Sequence, residues 1–213
     1  MSLAHYSAAG QLGRHPARRW QLFAVVRGSG WVSGDDDERV AVGEGDAALW
    51  WPGEAHESGS HHGMTALIVA TTTDPIADLI DSPTPGQLGV CQHPSMRIVH
   101  VGSSLAREVG QWGSHGVRIG PVARWQGGDI TSVVLAHYSA AGRLGRHPAR
   151  IWQLFTVVHG SGWVSGDDDE RVEVGEGDAA LWSPGEAHES GSDAGMTVLI
   201  VETTIAPTVD LDL

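Results

Sequence analysis

Short apolar runs broken at close intervals by glycine, proline or acidic turns set the pattern of this chain. Residues 20–26 are apolar around a single Gln, Gly28-Ser29-Gly30 makes a turn, and Trp31-Val32-Ser33 resumes an extended stretch. Gly34 to Glu38 reads as an acidic hairpin tip, Arg39-Val40-Ala41-Val42 alternates, and Gly43-Glu44-Gly45-Asp46 turns again. Two more apolar runs follow at 47–51 and 64–69. Runs this short, rich in Val, Ile and aromatic residues and bounded by turn residues, predict strands. The expected class is all-β, a sandwich or barrel.

The whole pattern then recurs. Residues 5–73 and 137–205 align without a gap at an offset of 132 positions, with 58 identities in 69 positions. Two long copies indicate a duplicated domain rather than an open array of small repeats. What precedes each copy differs. Residues 96–134 carry strand patterns at 97–101, 117–125 and 130–135 that run into the second copy, whereas only four residues precede the first. The expected organisation is a first repeat at 1–73 that lacks its leading strands, a linker at 74–95, a second and complete domain at 96–205, and a tail at 206–213. Within the linker, Asp74-Pro75 is a good start for a short helix reaching about Asp81, and Ser82-Pro83-Thr84-Pro85-Gly86 breaks it. A sheet without its leading strands exposes an edge, so the first copy is expected to be completed by the linker, the second domain or another subunit.

Chemistry concentrates at equivalent places in the two copies. Each has a His, a Gln six residues later, a Gly seven after that, and then a Gly-Asp turn leading to Pro-Gly-x-x-His. These motifs resemble those of the cupin superfamily. The first cupin motif, G-x5-H-x-H-x3–4-E-x6-G, resembles Gly10 through Gly28, with His15 at its first histidine, Gln21 at its glutamate and Gly28 at its last glycine. The second, G-x5-P-x-G-x2-H-x3-N, resembles Gly45 through Ser60, with Trp51 at the proline, Gly53 at the glycine and His56 at the histidine. In the second copy the matching residues are His147, Gln153, Gly160, Ser183, Gly185 and His188. Ala17 and Ala149 stand where the family has its second histidine, Gln replaces Glu, and Ser60 and Ser192 replace Asn. The resemblance implies two tandem jelly-roll β-barrels, each with a central pocket.

It also implies a metal set of His15, Gln21 and His56 in the first copy and His147, Gln153 and His188 in the second. The metal would be Fe, Mn, Ni or Zn, with His5 or His137 as a further candidate ligand and open positions left for water or substrate. Residues of one parity in a strand face one side, so His15, Ala17, Gln21, Phe23 and Val25 should point inward together. Phe23 and Phe155 should therefore line the pockets. So should two pairs that differ between the copies, Arg19 with Ile151 and Trp51 with Ser183, which would make the pockets unequal. Arg14 and Arg18, with Arg146 and Arg150, are expected to pair across strands with Glu54, Glu57 and their counterparts. The Asp35 to Glu38 run lacks the spacing of a calcium loop, and His61-His62 becomes Asp193-Ala194, which marks both as surface.

Composition narrows the partners. The formal net charge is −13, which disfavours nucleic acid and anionic membranes. There is one cysteine, Cys91, and no apolar run long enough to cross a bilayer, which fits a cytoplasmic protein. No catalytic triad, phosphate loop or nucleotide fingerprint is present, so no organic cofactor is expected. Two functions from different classes fit. One is a small-molecule-binding cupin with a pocket at His15, Gln21, Phe23 and His56 and their counterparts. The other is a metal-dependent isomerase, lyase or dioxygenase acting on a small oxygenated substrate such as a sugar acid. A homodimer is the expected assembly.

Overall fold

A computed structural model describes residues 1–75, 90–92, 96–100, 106–125 and 129–207. Among these residues every regular element is a strand, and no helix is long and apolar enough to cross a membrane. The helix expected from Asp74 falls mainly outside the described residues, as does most of the tail. The chain divides into two compact units, Met1–Ser104 and Leu105–Leu213.

The first unit contains β1 (Ser2–Tyr6), β2 (Gln11–Pro16), β3 (Trp20–Ser33), β4 (Val40–Gly43), β5 (Asp46–Trp50), β6 (Ala55–Gly59), β7 (Met64–Thr71), β8 (Val90–Gln92) and β9 (Arg97–His100). The apolar stretch and the Gly-Ser-Gly stretch, which the sequence suggested were two strands with a turn, form one long strand, β3. A register shift between Val25 and Arg27 and a left-handed Gly28, φ +78°, bend it there. A side chain at Gly28 would bring its Cβ to 2.4 Å from the Gly63 carbonyl oxygen. The first half of β3 pairs with β7 and β5, and its second half with β4 and β6, so the same strand serves two facing layers. Phe23, Val25, Val32, Val42, Trp50 and Met64 form the core between the layers.

The second unit contains β10 (Arg107–Glu108), β11 (His115–Arg124), β12 (Ile130–Pro148), β13 (Trp152–Ser165), β14 (Val172–Gly175), β15 (Ala179–Trp182), β16 (Ala187–Ser192) and β17 (Met196–Thr203). It repeats the plan, with β13 bridging both layers and β12 doing so as well: its first part pairs with β11 and β17 and its second with β16. Phe155, Val157, Val164, Trp182, Met196 and Ile200 form the core.

The expected domain boundary moves. Residues 97–101, read as the leading strand of the second domain, instead supply β9 to the first unit, where it pairs antiparallel with β5 and carries β8 on its far side. The physical reason is burial: β5 is apolar after Asp46, and β9 covers it with Ile98 and Val99, while Met96 enters the first core. The first repeat thus gains two strands at one edge but, among the described residues, has nothing at the other that corresponds to β10 and β11. The second unit has β11 along β12 but, among the described residues, nothing that corresponds to β9.

Candidate ligand and metal site

Antiparallel pairing brings the two histidines of each copy together. His15 lies opposite His56 across β2 and β6, and His147 opposite His188 across β12 and β16. Ring centroids are 4.3 Å apart in the first pair and 4.4 Å in the second, with the same 54° tilt. Behind each pair is a buried indole: Trp50 stacks on His56 at 4.2 Å, and Trp182 on His188 at 4.1 Å. Phe23 and Phe155 meet these indoles edge-on and are fully buried, so they back the sites rather than line their mouths.

Hydrogen bonds orient the imidazoles. His15 Nδ1 donates to the Gly13 carbonyl and His147 Nδ1 to the Gly145 carbonyl, both at 2.7 Å. The inner pair contacts backbone carbonyls more loosely, His56 to Glu54 at 3.4 Å and His188 to Glu186 at 3.3 Å. A carbonyl only accepts, so each Nδ1 carries the proton, and Nε2 is the position left for a ligand, a metal or another donor. Burial, foremost, pulls His56 and His188 down to about 4, which keeps both rings neutral at ordinary pH.

The copies part at Nε2. In the first, the Gln21 amide donates to His56 Nε2 at 2.8 Å. In the second, His188 Nε2 is buried and has no hydrogen-bond partner. Gln153 instead borders a cavity of about 250 Å³ together with Trp112, Ile119, Leu144, His147, Arg150 and Glu202. Trp112, from the turn before β11, stacks on His147 at 4.3 Å with an interplanar angle of 12°. That turn is held close: the Gly145 amide donates to Ser114 Oγ at 3.0 Å, and Trp112 takes a left-handed φ of +57°. Trp112 and Glu202 are site residues that the sequence reading missed, while Arg150, expected to pair across strands, borders the cavity. The aromatic residue next to two glycine-flanked turn positions was the available signal for Trp112, and Ala70 becoming Glu202 for the other.

Other expectations shift. Arg19 is exposed and Ile151 half-buried, because each sits in a bend before β3 or β13 begins, where strand parity does not apply. Trp51 and Ser183 act at a turn: their backbone amides donate to Glu54 at 3.1 Å and Glu186 at 2.9 Å, and the Ser183 hydroxyl adds a bond to Glu186. Neither borders the cavity described above. Glu54 is fully buried, and burial, as the largest cause, raises its carboxyl to about 7. Arg14 and Arg146 pair with Asp37 and Asp169 at the hairpin tips instead of with Glu54 and Glu186. His5 and His137 contact Thr65 and Thr197 on the adjacent strands.

Among the described residues no group of three or more His, Cys, Asp or Glu side chains stands together as a metal cluster. The first copy fits a metal poorly, since the Gln21 amide already occupies His56 Nε2. The second leaves His188 Nε2 without a partner beside His147, which is held through Nδ1 and borders the cavity with Gln153, so it fits a donor role better than the first.

No protein-family model matches the chain, and no curated protein sequence does. Solved structures do. An oxalate decarboxylase from Bacillus subtilis with Mn(II) centres matches 98% of this chain and 70% of its own at 13% identity and a TM-score of 0.62. A cupin 2 conserved barrel domain protein from Leptotrichia buccalis covers 94% and 81% at 10% identity and a TM-score of 0.53. A salicylate 1,2-dioxygenase from Pseudaminobacter salicylatoxidans covers 94% and 69% at 13% identity and a TM-score of 0.55. With these matches spanning both units of this all-β chain, and with a histidine pair on neighbouring strands of each unit, the fold of this chain is the cupin fold.

Proposed function

We propose that the second unit is a small-molecule-binding cupin barrel, with its ligand held in the cavity between Trp112, His147, Gln153 and Arg150. The observation that carries this reading is the contrast at the inner histidine. A buried imidazole nitrogen without a partner is costly unless something occupies it, and the same nitrogen in the first copy is satisfied from within the protein. Trp112 supplies an aromatic wall, and Arg150 with Glu202 supplies charge of both signs at the rim. A ligand that accepts from Arg150 and donates to an imidazole nitrogen, such as a small oxygenated acid, suits these groups.

A second reading is favoured by the orientation of the donors. With Nδ1 of both His147 and His188 turned to backbone carbonyls, the two Nε2 atoms are the ligating positions, and His147, His188 and Gln153 would hold a divalent cation. Such a metal would supply Lewis-acid chemistry toward a bound oxygen. The likeness to an oxalate decarboxylase with Mn(II) centres and to a salicylate dioxygenase supports this reading at the level of fold.

Metal analysis of protein purified without chelator, for wild type and for the His147→Ala, His188→Ala double variant, separates the two. Stoichiometric metal in wild type that the double variant loses supports the metal reading. Absence of metal, with small oxygenated acids raising the melting temperature of wild type but not of the variant, supports metal-free binding. No metal and no ligand-induced shift for any such acid would refute both.

A further inference from the structure

Two strands of identical sequence live in different surroundings. Asp46-Ala47-Ala48-Leu49-Trp50 and Asp178-Ala179-Ala180-Leu181-Trp182 each pair on one side with the first half of the long bridging strand, in equivalent register. On the other side β5 pairs with β9, whereas β13 is the only strand partner of β15 among the described residues. The side chains record the difference. Ala47, Ala48 and Leu49 are fully buried, while Ala179 is exposed, Ala180 half-buried and Leu181 41% exposed. The first core also contains Met96 and Ile98, which have no counterpart among the described residues of the second core. His100 pairs with Asp46 at the end of β9, and the matching Asp178 is exposed.

We propose that the open edge of β15 accepts an extended segment of another protein chain, added as an antiparallel strand with the chemistry of β9. The covered edge on β5 specifies that chemistry. A strand in the same register would place one aliphatic side chain opposite Ala180, as Ile98 lies opposite Ala48, and a second opposite Ala179, as Val99 lies opposite Ala47. A cationic or imidazole side chain would follow, facing Asp178 as His100 faces Asp46. Backbone hydrogen bonds give such strand addition its affinity, and alternate side chains give it selectivity. A second copy is the weaker candidate, because each chain carries one β9 for two such edges. A copy that lent its β9 would bare its own β5.

The test uses the full chain and a capped synthetic peptide of residues 90–100, with binding followed by calorimetry. Saturable binding of one peptide per chain is expected. Ala179→Asp places a carboxylate on an exposed position, so the chain should keep its native circular dichroism and melting temperature, yet weaken peptide binding about tenfold or more, since docking would bury that charge. A peptide carrying Val99→Asp should fail in the same way. The proposal is overturned if no peptide binds. It is also overturned if Ala179→Asp leaves binding unchanged, since the peptide would then be sitting elsewhere, for example in exchange with the chain's own β9. A dimer in sedimentation that Ala179→Asp converts to monomer would overturn it as well, by making a second copy the occupant.

Discussion

Gly13 and Gly145 occupy the same position in the two copies, yet substituting alanine should have opposite effects. A Cβ on Gly145 would lie 1.9 Å from the Trp112 carbonyl oxygen and 2.9 Å from the carbonyl carbon, whereas one on Gly13 meets nothing within 4 Å. Neither glycine has a positive φ, so space alone decides the outcome. To restore ordinary contact in Gly145→Ala, the backbone at Trp112 has to retreat by about 1.5 Å. That breaks the hydrogen bond from the Gly145 amide to Ser114 and the stack of Trp112 on His147. Forced repacking of this kind costs about 1–3 kcal/mol, to which loss of the aromatic contact adds about 1 kcal/mol. Gly13→Ala introduces no clash and restricts the unfolded chain, a gain of about 0.4–1 kcal/mol. Urea denaturation of both variants, read by far-ultraviolet and near-ultraviolet circular dichroism, measures the difference. The near-ultraviolet signal of the native state should change only in Gly145→Ala. Equal stability changes, or an unaltered aromatic signal in Gly145→Ala, would refute the reasoning that the turn is clamped onto β12 at this glycine.

Three further outcomes follow from the site. Glu54 has its carboxyl raised to about 7 by burial, so the protonated form is the one the fold prefers. The stability it contributes is complete below pH 4.5 and is lost as pH rises through 7. Glu54→Gln should therefore stabilise the first unit at pH 8 by about 1–3 kcal/mol and leave it little changed at pH 5, as melting curves at the two pH values will show. His56 and His188, lowered to about 4, behave in the opposite sense: both take up protons on unfolding, and their contribution is lost as pH falls from 6.5 through 4. Nuclear magnetic resonance titration of labelled imidazoles should show both rings neutral at pH 5.5, and a midpoint near 6.5 for either would contradict their burial. Gln21→Leu removes the donor to His56 Nε2 and should cost about 1 kcal/mol, while Gln153→Leu should cost less in stability and more in ligand binding. Matching denaturation curves for the two would argue against any real difference between the copies at this nitrogen.

The sequence revealed most about whatever depends on local pattern. The alternation of short apolar runs and turns, and the duplication itself, indicated two all-β units, and the cupin-like spacing put His15 and His56 on neighbouring strands, as β2 and β6 are. It failed where parity has no strand to act on, as at Arg19 and Ile151. It failed again where a single strand passes between layers: nothing local tells that Gly28-Ser29-Gly30 bends β3 instead of ending it, since the reason is the approach of Gly63 from across the sheet. The assignment of residues 97–101 to the second domain followed chain order, whereas the strand followed the apolar edge of β5. The unequal histidine environments were beyond reach of sequence, because the residues concerned are the same in both copies. Among the described residues only the second copy has an indole, Trp112, stacked on its outer histidine.

The position of β9 bears on how the molecule is made. During synthesis the first copy emerges complete to Thr73 while β5 has β3 on one side only, and its second neighbour arrives with Arg97–His100. Domains commonly fold as units from the N-terminus, but this one has to wait for nearly half of the chain, with an aggregation-prone edge bare in the interval. A protease cut or truncation between Thr73 and Arg97 would divide one folding unit rather than separate two. A fragment ending at residue 75 should accordingly be insoluble or bind chaperones, while one ending at residue 104 should fold.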